Sequence, residues 1–179
     1  LGWYVLFMRF SSSRFRHDPQ HLADDAYAGS ETFNRLKVAI KEVFGTDNVL
    51  PAHQGRACEN ILAERFVKPG TVAIMNFHFT TTKAHVTRCG GEVVEVLHKK
   101  GLIPQSDDPF KGDMDLQELR RVITEYGPEK VAYVRVEAGT NLIGGQPVSL
   151  ENMLAVADIC HEFGVPSILD ASLLQDNIY

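Results

Sequence analysis

From Ser30 onward the chain alternates stretches of helical period with short, almost wholly apolar runs, separated by glycine or proline. Thr71-Val-Ala-Ile-Met75, Lys130-Val-Ala-Tyr-Val-Arg-Val136 and Val165-Pro-Ser-Ile-Leu-Asp170 are too short for buried helices and too apolar for strands with one wet face. Strands covered on both faces belong to parallel sheets, and the intervening helices supply the crossovers. The pattern predicts an α/β fold, a mostly parallel sheet with helices on both faces.

The remaining elements follow from local signals. Ser30 can cap a helix with the stripe Phe33, Leu36, Ile40, Val43 and Phe44, ended by Gly45. Asn48 to Pro51 reads as the end of an extended run, and Ala57 to Val67 as a helix with Ile61, Leu62 and Phe66 apolar. A helix over Thr80 to Cys89 stops at Gly90-Gly91, and Glu92 to Leu97 is a second strand. Asp115 opens a helix with Leu116, Leu119, Ile123 and Tyr126 on one face; Ser149 opens another through Leu150, Leu154, Ala157 and His161.

Bulk properties exclude several classes of function. A net charge of −5 without a basic face argues against nucleic-acid binding. Three scattered cysteines, Cys58, Cys89 and Cys160, make neither a disulfide framework nor a zinc knuckle, which suits a cytoplasmic setting. The apolar run Leu1 to Met8 is short of the roughly 20 residues a membrane span needs. Its arginines follow it, the reverse of a signal peptide. Residues 1–22 are therefore expected to be an irregular lead-in, and residues 23–179 part of one large domain.

In parallel sheets ligands bind at the carboxyl ends of the strands. His53-Gln-Gly-Arg56, Asn76-Phe-His-Phe-Thr80, Glu137-Ala-Gly-Thr-Asn141 and Asp170-Ala-Ser172 all fall there. Gly55 stands at a helix start, where free N–H groups and the dipole favour an anion, and Arg56 can add a charge-assisted contact. An ordinary loop with a surface arginine is the alternative. Asp170 at a strand end is either a turn residue or the partner of a protonated ring nitrogen, as pyridoxal phosphate requires. Phe79 is either a core aromatic or the ring that stacks on such a cofactor.

Six motifs in order then carry a resemblance: Asp24-Asp-Ala-Tyr-Ala-Gly-Ser-Glu31, Pro51-Ala-His-Gln-Gly-Arg56, Phe79-Thr-Thr-Thr82, Phe110-Lys-Gly-Asp113, Asn141 with Gly144-Gly-Gln-Pro-Val-Ser149, and Leu169-Asp-Ala171. Over about residues 23–179 the chain resembles the aromatic amino-acid β-eliminating lyases, the tyrosine phenol-lyase and tryptophanase family. The resemblance implies the first part of the large domain of an aspartate-aminotransferase-like, fold type I pyridoxal-phosphate enzyme. It implies that Gln54, Gly55 and Arg56 hold the cofactor phosphate, Phe79 stacks on its ring, Asn141 meets its phenolic oxygen and the substrate carboxylate, and Asp170 meets its ring nitrogen. It gives Tyr27 the role of proton donor to the leaving group, offered from a neighbouring subunit of a homotetramer. Asp25 stands where the family has a glutamate ligand to a monovalent cation such as potassium. Thr80 follows the phenol-lyase pattern, where tryptophanases carry an aspartate; on the residues alone, Thr80 can also be a helix cap.

The implied reaction is β-elimination from an aromatic or related L-amino acid to pyruvate, ammonia and the freed side chain. Three departures accompany the resemblance. The family's Schiff-base lysine lies downstream of the matched aspartate, whereas Lys68, Lys83, Lys99, Lys100, Lys111 and Lys130 lie on other strands or in loops. The chain alone is therefore expected to be inactive. The arginine that follows Asp-Ala-Thr in the family is replaced in Asp170-Ala-Ser-Leu173, which leaves a cation missing. The family's Thr-Asp-Ser-Gly segment is not found in residues 1–22. The alternatives are a non-catalytic remnant or interaction module and, more weakly, a threonine-aldolase-like lyase.

Overall fold

The computed structural model describes residues 3–6, 30–46 and 48–177. The chain divides into two compact units, Phe10–His53 and Leu1–Arg9 with Gln54–Tyr179. In the smaller unit, α1 (Glu31–Phe44) is set by its ends. The Ser30 hydroxyl accepts from the Phe33 N–H at 3.0 Å, and Gly45 turns left-handed at φ 69° to close the helix on the Lys41 carbonyl. Phe33, Leu36, Ile40 and Phe44 are half-buried as their spacing predicts, while Val43 is 71% exposed. The extended run expected at Asn48 to Pro51 is irregular and forms no strand.

The larger unit carries strands β1 (Trp3–Leu6), β2 (Val72–Met75), β3 (Glu92–Glu95), β4 (Val131–Glu137) and β5 (Ser167–Asp170). These pair in the order β1-β5-β4-β2-β3, every pair parallel. Trp3–Leu6 thus corrects one expectation: four residues of the presumed irregular lead-in form an edge strand, with Trp3 opposite Ser167 and Leu6 opposite Asp170.

The helices are α2 (Gly55–Phe66), α3 (Thr80–Arg88), α4 (Leu116–Tyr126), α5 (Leu150–Phe163) and α6 (Leu174–Asn177). Strand side chains alternate between two cores. Val72, Ile74, Val134 and Val136 pack with Leu119, Val122 and Ile123 of α4 and Val156, Ile159 and Cys160 of α5. Ala73, Met75, Tyr133 and Ile168 pack with Ala63 of α2 and Val86 of α3. A register shift between Val72 and Ala73, against Val131 and Tyr133, lets consecutive Ala132 and Tyr133 both join the second core.

Local chemistry accounts for most boundaries. Asp115 accepts from the N–H groups of Gln117 and Glu118, and Ser149 from that of Asn152, as Asp and Ser do at helix starts. For α5 the helix is as expected but its inward face is not. Asn152, Val156, Ala157, Ile159 and Cys160 are buried, whereas Leu150 is 63% exposed and Leu154 and His161 face outward. The helix is apolar on more than one side, so periodicity alone does not choose its inner face. No helix among the described residues is long and apolar enough to cross a membrane.

Burial on α5 gives a direct test. Ile159→Ala should cost about 2–5 kcal/mol, whereas Leu150→Ala should stay within about 0.5 kcal/mol. Urea unfolding followed by circular dichroism measures both.

Candidate active site

The candidate site is the rim formed by the carboxyl ends of the parallel strands, where α3 starts directly after β2 and the 141–143 turn follows β4. One buried amide organises it. Asn76, the residue after β2, donates from Nδ2 to the Gly112 carbonyl at 3.1 Å, the Glu137 carbonyl at 3.1 Å and the Thr140 hydroxyl at 2.9 Å. Its Oδ1 accepts from the Glu137 N–H at 3.0 Å. Gly112 approaches so closely that a Cβ there would lie 2.6 Å from both the Gln146 carbonyl oxygen and Thr140 Oγ1. Asp113 then accepts from the Ser149 N–H at 2.8 Å and hydroxyl at 3.3 Å, and from Lys100 at 3.3 Å. The motifs Phe110–Asp113 and Gly144–Ser149 thus hold one another.

Gln54 precedes α2 and makes no side-chain cap hydrogen bond; Gly55 and Arg56 are the helix's first two residues, with Arg56 exposed. The helix therefore starts where the phosphate turn was expected, but from a loop rather than a strand. Glu59, one turn into α2, is buried and accepts from the hydroxyls of Thr81, at 2.5 Å, and Thr82. These contacts bind the start of α3 to that of α2. Phe79 is half-buried and is itself the residue that caps α3, through backbone alone; Thr80 is the exposed first residue of the helix, not its cap. Asn141 is exposed at the start of its turn, and its N–H reaches the Glu137 carboxyl.

Asp170, at the end of β5, is fully buried. Its Oδ1 accepts from the Ser172 N–H at 2.9 Å, an Asx turn, and its Oδ2 from Arg135 Nη2 at 2.5 Å. Arg135 lies on β4 and is 2% exposed. The cation on Asp170 therefore comes from the neighbouring strand, whereas the position after Asp170-Ala-Ser is the apolar Leu173. The sequence places Glu137 at a strand end without a role for it, and gives no role to Arg135 or Glu59. The available signal was two charges at alternating positions of an otherwise apolar, doubly covered strand, where an ion is costly unless paired.

Glu137 follows Arg135 on the same face, with Oε2 3.7 Å from Arg135 Nη1. Burial pushes its carboxyl up to about 7, against Arg135 and the Asn141 N–H, which lower it; the charges of Asp170 and Glu59 add to the rise. The Cys58 thiol on α2 is also raised, by burial first and then by the charges of Glu59 and Asp170. That coupling places the first turn of α2 within electrostatic reach of Asp170. Tyr27 and Asp25 lie outside the described residues. Among the described residues no group of three or more His, Cys, Asp or Glu is placed to hold a metal ion.

The sheet order and the rim define a fold type I large domain of the aminotransferase-like class. An archaeal alanine:glyoxylate aminotransferase matches with a TM-score of 0.63 at 19% identity, over 88% of this chain and 38% of that one. A PLP-bound C-S lyase from Staphylococcus hominis matches with a TM-score of 0.60 at 16% identity, over 87% of this chain and 39% of that one. Within this class the chain belongs to the beta-eliminating lyase family, whose model matches residues 20–178. Relatives include the tyrosine phenol-lyases of Fusobacterium nucleatum subsp. nucleatum, 42% identical over 156 residues, and Nostoc punctiforme, 40% identical over 158 residues. These alignments cover 87% and 88% of this chain but 34% of each relative, so the chain spans about a third of their length.

Two outcomes follow from the geometry. Asn76→Ala leaves the Glu137 N–H and the Gly112 carbonyl without their side-chain partner and should cost about 2–4 kcal/mol, read as a lower urea midpoint. For Glu137, the folded pKa of about 7 lies above the ordinary glutamate value of about 4.3. Its contribution to stability is full below that ordinary value and is lost as pH rises through about 7, on the order of 3 kcal/mol in total. Glu137→Gln should flatten the fall in stability across this window, measured by urea titration at stepped pH.

Proposed function

We propose that this chain is part of a pyridoxal-phosphate-dependent lyase that β-eliminates an aromatic L-amino acid, tyrosine in preference to tryptophan, releasing pyruvate and ammonia. The observation that carries the reading is the pairing, on one rim, of an uncapped helix start at Gln54–Arg56 with the buried carboxylate of Asp170. Such a pair suits a ligand anionic at one end and cationic at the other.

The residues fit that group. Asp170 carries one hydrogen bond on each oxygen and keeps lone pairs for a third donor. Arg135 Nε and Nη1 and Glu137 Oε2 are buried without hydrogen-bond partners, a rim whose polar groups are incompletely satisfied as it stands. When bound, the cofactor supplies an electron sink for the charge left after loss of the substrate's α-proton. In this reading the N–H groups of Gly55 and Arg56 bind the phosphate and the Arg56 guanidinium neutralises it. Phe79 covers the ring and excludes water from it. Asn141 orients the substrate carboxylate. Tyr27 delivers a proton to the leaving side chain, Asp25 helps to hold a potassium ion, and the site is completed in a homotetramer in the cytoplasm. The lysine that joins the cofactor is supplied from outside this chain, so the 179 residues alone turn nothing over.

Thr80 is the substrate-reading position in this proposal. It is exposed at the start of α3, beside Phe79, and the relatives named above are tyrosine phenol-lyases. A protein that includes this chain and its continuation, assayed for pyruvate, should act on L-tyrosine; Thr80→Asp should lower kcat/KM for L-tyrosine at least about tenfold, a loss of roughly 1.4 kcal/mol of transition-state binding. Pyruvate from L-tryptophan but not L-tyrosine in the unaltered protein would reject the phenol-lyase preference. Pyruvate released by the 179 residues alone would reject the claim of an external lysine.

A further inference from the structure

The second core holds a charge cluster of which the proposed chemistry uses Asp170 alone. Arg135 and Glu137 of β4 and Asp170 of β5 share the face covered by α2 and α3, and Glu59 of α2 lies over the same face. One guanidinium serves three carboxyl groups there. It is committed to one of them: Nη2 sits on Asp170 at 2.5 Å, while Nε and Nη1 have no hydrogen-bond partner. Glu59 is occupied by the hydroxyls of Thr81 and Thr82. Glu137 is the group left over, its Oε2 unpartnered and 3.7 Å from Arg135 Nη1. A shift of about 1 Å brings that contact into the range of a charge-assisted hydrogen bond.

We propose that Arg135 and Glu137 are positioning residues for Asp170: Arg135 holds the Asp170 carboxylate in place, and passes to Glu137 when a cationic ring nitrogen claims Asp170. The inference rests on Asp170 being the carboxylate that receives the cofactor's ring nitrogen. Three arguments support the exchange. A buried cation cannot be left without a counter-charge, and Glu137 Oε2 is the carboxyl oxygen within reach that has no hydrogen-bond partner. Two cations on one Asp170 oxygen repel each other, so the arrival of a protonated ring displaces the guanidinium. Guanidinium presents five donors in a fixed fork, so it can turn from one carboxylate to the next without losing its charge.

The exchange carries a proton with it. Below the pKa of about 7 to which burial raises it, Glu137 carries a proton, which it loses to solvent as its carboxylate gains the guanidinium; the O–H bond breaks and no other covalent bond changes. The groups facing Glu137 are Arg135 on its own strand, the Asn141 N–H beyond it, Asp170 on β5 and Glu59 on α2. Of these, Arg135 is the one that changes partner. The pair also sets the direction of Asp170: with Ser172 N–H fixing Oδ1, Arg135 fixes the plane of the carboxylate.

Infrared difference spectroscopy of the protein tests this through the carbonyl stretch of a protonated buried carboxyl, assigned to Glu137 by its loss in Glu137→Gln. At pH 6 the unaltered protein should show the band. Asp170→Asn, which frees Arg135 without any ligand, should abolish it; where that variant does not fold, Asp170→Ser takes its place. Pyridoxine 5′-phosphate, which has the phosphate and ring nitrogen but no aldehyde, should abolish the band in the unaltered protein on binding. A band that persists in the Asp170 variant, or with pyridoxine phosphate bound, overturns the exchange, as does absence of the band from the unaltered protein. Loss of the band in the Asp170 variant without any binding of pyridoxine phosphate upholds the exchange and rejects the cofactor reading instead.

Discussion

The four hydrogen bonds of Asn76 fix the geometry of the rim. With its amide spent on Gly112, Thr140 and both backbone groups of Glu137, the end of β2 is locked to the end of β4 and to the loop that leads into α4. Burial makes this lock strong, because none of the four partners has water to fall back on. Everything that follows β4, including Asn141 and the Gly144–Ser149 turn, takes its position from that tie. The missing Cβ of Gly112 is the steric condition for it, and Asp113 extends it to the start of α5.

Beneath this rim the sheet has an unusual interior. β4 is buried along its whole length, yet it carries Arg135 and Glu137 on the face toward α2 and α3. Charges in such a place are weak contributors to stability and strong determinants of which arrangement is allowed. The Arg135–Asp170 pair satisfies one carboxylate and leaves Glu137 Oε2 without a hydrogen bond, 3.7 Å from Arg135 Nη1. Apolar residues of similar volume often serve a sheet as well as a buried ion pair does, so these residues are most simply understood through what they do at the strand ends. The buried charges lie where they can act on Asp170.

Much of this was legible in the chain, and the boundary of legibility is physical. Ser30, Asp115 and Ser149 announced their helices because a cap is a contact between residues two or three apart. The buried strands announced themselves by composition, and the order of strand and helix gave the parallel sheet. The inner face of α5 did not, because Leu150 and Leu154 are as apolar as Val156 and Ile159, and only the sheet chooses between them. Gln54, Gly55, Arg56, Phe79, Thr80, Asn141 and Asp170 were found at the rim's elements by spacing and resemblance. Arg135 was missed because its partner is 35 positions away, and the reach of Asn76 is longer still.

The edge strand at Trp3–Leu6 bears on the order of assembly. Its neighbour is β5, so residues made before β2, β3 and β4 pair with residues made after them. Among the described strands its partner is Ser167–Asp170, which emerges after β2, β3 and β4 already have one another. Synthesis therefore passes through a stage at which the side of the sheet destined for Asp170 stands open. The same late step delivers the carboxylate to Arg135, so until then that guanidinium has no strand-end partner on its outer side.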